Sequence, residues 1–87
     1  MARVATRQRQ RMLQANTAAE RTLLARSERP GHVVLDGAYY LVRGACVLLP
    51  EGISARGAER VRLALEAAAT AHSEALRRRR AFHLVEG

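Results

Sequence analysis

The stretch from His32 to Leu49 constrains the fold most, because it holds three short apolar runs, two glycine turns and no polar face. It reads His32-Val-Val-Leu-Asp36-Gly37, then Ala38-Tyr-Tyr-Leu-Val42-Arg43-Gly44, then Ala45-Cys-Val-Leu-Leu49. Runs this short, rich in β-branched and aromatic residues, favour strands. Asp36-Gly37 is a hairpin signal, since a type I′ turn needs positive φ at both central positions. Arg43-Gly44 is a weaker second turn. The stretch therefore predicts a three-stranded antiparallel meander.

Two-residue turns would fix the register, so the faces can be assigned. Pairing Leu35 with Ala38 and Val42 with Ala45 puts Val33, Leu35, Ala38, Tyr40, Val42, Ala45, Val47 and Leu49 on one face. His32, Val34, Tyr39, Leu41, Cys46 and Leu48 fall on the other. A sheet with one face in water alternates apolar and polar residues. This one does not, so both faces are expected to be covered, by helices or by another copy of the chain.

Helices are expected on either side of the meander. Residues 3–28 contain no Gly or Pro, and Met12, Ala15, Ala19 and Leu23 recur at spacings of three and four. That pattern predicts an amphipathic helix ended by Pro30-Gly31. Downstream, Pro50-Glu51-Gly52 breaks the last strand, Ser54 is the expected N-cap and Ile53 the staple onto Ala58. From there Ala58, Val61, Leu65, Ala68, His72, Ala75 and Arg79 follow a heptad-like stripe to about Arg80. Arg62–Glu66 and Glu74–Arg78 are expected as i, i+4 pairs. The tail 81–87 is expected as a short strand or a loose end. The fold class is α+β, in the order α-β-β-β-α, forming one domain over 1–87 with residues 1–11 as a frayed basic arm.

With 87 residues and one cysteine, Cys46, no intramolecular disulfide is available, and small unstapled chains often gain stability by association. A homodimer is expected, with Tyr39, Tyr40, Val61, Leu65, Ala68 and His72 at its interface. No apolar stretch is long enough for a membrane span. The N-terminus lacks an apolar signal segment, and a lone cysteine suits a reducing cytoplasm.

The charge is unevenly spread. All fifteen cationic side chains are arginine, against eight acids, for a net +7. Arg3, Arg7, Arg9 and Arg11 put +4 on residues 1–11. Arg77, Arg78, Arg79 and Arg80 against Glu86 put +3 on residues 77–87, and the chain between is neutral. Arginine binds phosphate bidentately and keeps its charge. Arg7, Arg9, Arg11 and Arg77 to Arg80 are therefore the candidate nucleic-acid contacts. On one side of the molecule they would form a single patch. On opposite sides they would act as separate solvated caps.

Motifs for catalysis and metal binding are weak. Gly52-Ile-Ser-Ala-Arg-Gly57 has the glycine spacing of a phosphate loop, but Ala58 and Glu59 stand where Lys and Ser or Thr are required. Cys46 and His32 share a sheet face without a third group to orient the histidine. His32, Cys46, His72 and His83 include no short-range ligand pair. No cofactor, metal or enzymatic activity is expected. The leading expectation is a small regulatory protein that associates with DNA. The alternative is an oligomeric adaptor that docks an apolar surface on a larger protein.

Overall fold

A computed structural model describes residues 11–86, with side chains to residue 80. The described residues are mixed α+β, with two helices and a four-stranded antiparallel sheet. Strand β1 spans Met12–Gln14, helix α1 Ala18–Ser27, β2 His32–Leu35, β3 Ala38–Arg43, β4 Cys46–Leu48 and helix α2 Ala55–Glu86. The sheet order is β1-β4-β3-β2.

The β2–β3 hairpin has the expected register, with Leu35 opposite Ala38. Asp36 and Gly37 carry φ of 54° and 80°, as a type I′ turn requires. The second turn differs. Its central residues are Gly44 and Ala45, with φ of 61° and 62°, and Val42 pairs with Val47 rather than Ala45. A slide of two residues keeps every side chain on its face, where a slide of one would invert them all. The face assignment therefore survives the change of partner.

Two other expectations are corrected. Residues 12–14 form a strand instead of the middle of a helix. Met12 pairs with Leu48, Leu13 with Val47 and Gln14 with Cys46, and the Leu49 N–H donates to the Arg11 carbonyl. The helix starts later because Thr17 caps it, its hydroxyl accepting from the Glu20 N–H at 3.1 Å. Thr17 and Glu20 have capping-box spacing, and the Glu20 carboxylate reaches back to the Asn16 N–H at 2.8 Å. At the other end, the tail continues α2 to Glu86 rather than forming a strand. The expected Ser54 cap is present, its hydroxyl accepting from the Gly57 N–H at 3.0 Å.

Both helices lie on the same face of the sheet. Leu24 of α1 and Val61 and Leu65 of α2 are buried against Val33, Leu35, Val42, Val47 and Leu49. Arg62 bridges Glu20 at 2.9 Å instead of pairing along its own helix with Glu66. The opposite sheet face keeps Met12, Val34, Tyr39 and Leu41 exposed. Of the two covers expected for the sheet faces, helices or another copy of the chain, the described helices supply one face only.

Topology gives the body two distinct ends. The Asp36-Gly37 turn meets the start of α2, where Arg60 contacts Asp36 at 3.4 Å, and Arg11 donates to the Ile53 carbonyl at 3.3 Å. This is the near end. Strand β2 runs toward it, so the start of β2, the close of α1 and the Gly44-Ala45 turn lie at the far end. There the Glu28 carboxylate accepts from the Ala45 N–H at 2.6 Å, and the Val42 N–H donates to the Gly31 carbonyl. With 32 residues, α2 is about 48 Å long, against about 20 Å for the six-residue β3. It is therefore much longer than the sheet, and part of it projects from the body.

Candidate nucleic-acid interface

Of the arginines singled out in sequence, Arg7 and Arg9 lie outside the described residues. Arg11 is at the near end, beside Ile53. Arg77, Arg78, Arg79 and Arg80 are exposed on the projecting part of α2. Twenty-four residues separate Ile53 from Arg77, which along a helix is about 36 Å. Arg11 and the C-terminal cluster therefore do not meet.

The helix extension changes what the C-terminal cluster can be. The favourable field at a helix C-terminus is confined to its last turn. Helix α2 runs to Glu86, so Arg77 to Arg80 stand before that turn. Successive helical residues are rotated by about 100°, so four arginines in a row cover nearly every direction around the axis. Arg77 donates weakly to the Ser73 hydroxyl at 3.5 Å. Among the described residues none of the four has a carboxylate partner.

The far end of the body brings in three arginines absent from the sequence-based candidates. Arg26 and Arg29 flank the close of α1, Arg43 closes β3, and all three are exposed. Arg26 and Arg29 border a shallow hollow beside Ala25. Arg77 to Arg80 lie further along α2, and among the residues with described side chains the acids on these segments are Glu28 and Glu74. Glu28 is already engaged by the Ala45 N–H. The near end is balanced, setting Arg11, Arg56 and Arg60 against Asp36, Glu51 and Glu59. The described part of the molecule is thus strongly one-sided in charge. A sum along the sequence hides this, because Arg26, Arg29 and Arg43 sit in a segment that is neutral overall.

The expected interface residues separate in space. Val61 and Leu65 are core residues, Ala68 packs partly against that core, and Tyr40 is half-buried on the helix side of the sheet. They are occupied by the chain's own packing, because the heptad-like stripe faces its own sheet. His72 is half-buried, and its Nε2 is screened from solvent with no hydrogen-bond partner among the described residues. Tyr39 alone of the six is widely exposed, on the open sheet face, with its ring 4.9 Å from that of His32.

The other motifs have structural places. Gly52, with φ of 81°, makes the turn before α2, and Gly57 lies in its first turn under the Ile53 side chain. Cys46 and His32 are separated by β3, two strand spacings of about 4.8 Å each, beyond hydrogen-bond reach. A cleft of about 290 Å³ at the near end is lined by Leu35, Tyr40, Ile53 and Val61, with the Asp36–Arg60 pair at its rim. No cluster of three metal-ligating side chains occurs among the described residues. No helix among them is long and apolar enough to cross a membrane. Comparison of the chain with family models, curated proteins and solved structures gives no match.

Proposed function

We propose that the chain is a small, non-enzymatic accessory or regulatory protein that associates with DNA through phosphate contacts at its far end. The observation that carries this reading is the collection of Arg26, Arg29 and Arg43 at the far end of the body, with the exposed Arg77 to Arg80 on the projecting part of α2. The sequence left open whether the two terminal clusters form one patch or separate solvated caps, and separate clusters count against a joint grip by Arg11 and Arg77 to Arg80. The reading proposed instead assigns the phosphate contacts to Arg26, Arg29, Arg43 and Arg77 to Arg80. Backbone contacts of this kind position a protein without reading base sequence. They release counterions, so binding weakens steeply with salt.

The test is fluorescence anisotropy with a labelled duplex across a salt series. With all seven arginines on phosphate, log K should fall against log salt with a slope of about −6.3. Changing Arg77, Arg78, Arg79 and Arg80 to Gln should remove up to about 3.6 of that slope. A chain that fails to bind duplex DNA even at low salt is not a DNA-associated protein.

A further inference from the structure

The open face of the sheet is the second feature that the fold leaves without a partner. Register places Met12 opposite Leu48 on β4 and Leu41 opposite His32 on β2. The β3–β4 register, carried one step further, sets Leu41 across from Leu48. Met12, Leu48, Leu41 and His32 therefore form one row across all four strands, with Val34 and Tyr39 paired beside it. Met12 is 54% exposed, Val34 49%, Tyr39 73% and Leu41 63%. Among the described residues the only charged side chain on this face is Arg43, at its far-end rim, where Gln14 and Cys46 complete a more polar row.

We infer that this face is a self-association surface, on which a second copy of the chain packs sheet against sheet. Two arguments select a second copy. The first is area. The exposed parts of Met12, Val34, Tyr39 and Leu41 amount to roughly 450 Å² per chain, and the flanks of Leu48, Cys46 and His32 add to it. Two copies together reach the region of 1,000 Å² at which specific interfaces begin. The second is charge. A partner of opposite charge would be met by charged side chains, and among the described residues the centre of this face has none. A flat apolar sheet of the same size matches it, and another copy presents one by symmetry. Two such sheets stack about 10 Å apart and make the interior of a sandwich. That arrangement gives the inward-facing apolar residues on both sides of the sheet a use. It places α1 and α2 on the outside of the pair and leaves Arg43 at the rim. The inference is independent of the DNA reading.

The experiment is light scattering on the full chain, free of nucleic acid, over about 5 to 200 µM, the range set by an interface of this modest size. The expected result is a mass rising with concentration toward twice 9.6 kDa. Leu41→Glu should weaken the association by roughly tenfold or more, with unchanged far-ultraviolet circular dichroism. Leu63→Glu, at an exposed position on α2, should leave it unaffected. A single-chain mass throughout overturns the inference. So does association lost in Leu63→Glu but kept in Leu41→Glu, which would move the interface to the helices. Quenching of tyrosine fluorescence by a single-stranded oligonucleotide, with the chain monomeric, would assign the face to nucleic acid and also overturn it.

Discussion

Arg62 and Glu20 form the main polar link between the two helices, with Nη1 of the arginine donating to Oε1 of the glutamate at 2.9 Å. The Glu20 side chain is 2% exposed and that of Arg62 16%. The same guanidinium donates to the Gln14 carbonyl at 2.6 Å, and the same carboxylate accepts from the Asn16 N–H. One ion pair thus fastens α2 to α1, to β1 and to the connection between them. Removing one partner of a buried pair leaves the other uncompensated, at a cost of about 3–5 kcal/mol. Glu20→Ala and Arg62→Ala should each lower stability toward the lower end of that range. The double variant should lose much less than the two losses added. Urea unfolding of the four proteins measures the coupling, and additive losses would show that the pair contributes little.

Ala45 is a non-glycine residue in the left-handed region, with φ of 62°. An L side chain there costs about 1–2 kcal/mol, partly offset in Ala45→Gly by the greater freedom of the unfolded glycine chain. The variant should be more stable by about 0.5–1 kcal/mol. For a domain of this size that raises Tm by several degrees. A lower Tm would show that the Ala45 methyl group contributes packing that outweighs the strain.

Thr17 decides where α1 begins. Its hydroxyl satisfies the Glu20 N–H, and replacing such a cap by alanine costs about 1 kcal/mol. Thr17→Ala should show that loss by chemical denaturation, whereas Thr17→Ser should retain most of the stability.

His72 carries a screened ring nitrogen with no partner among the described residues. A buried polar atom left unpaired costs about 1–3 kcal/mol. His72→Leu should therefore stabilise the fold by about 1 kcal/mol, read from the thermal midpoint. Destabilisation would mean that the imidazole is satisfied in solution.

The parts of this fold that were legible in sequence are those governed by local rules. Asp36-Gly37 announces its turn because few residue pairs tolerate two positive φ values. Ser54 marks the start of α2 because its side chain fits an exposed N–H group. The identity of the two sheet faces follows from strict alternation, which a two-residue slide at Gly44-Ala45 leaves intact.

What was not legible depends on distant parts of the chain. Met12, Leu13 and Gln14 are ordinary helix formers at helical spacing from Ala19 and Leu23, yet pairing with β4 holds them as a strand. Thr17 and Glu20 carried the only local sign of the interruption. Nor does the periodicity of α1 or α2 say which sheet face each will cover. Both cover the same one, and the other stays open. Arg43 is distant in sequence from Arg26 and Arg29 and joins them at one end only because the β2–β3 hairpin brings the chain back there.

The measurement closest to the central claim compares two triple variants that remove the same charge from opposite ends. One replaces Arg26, Arg29 and Arg43 with Gln, and the other replaces Arg11, Arg56 and Arg60. Affinity for a duplex is followed against salt concentration for each. The far-end variant should bind at least roughly tenfold more weakly, with its salt slope reduced by up to about 2.7 if all three contact phosphate. The near-end variant should stay close to the parent chain. Equal losses from the two ends would contradict the account, because they would mean that net charge, rather than a built basic end, drives the association.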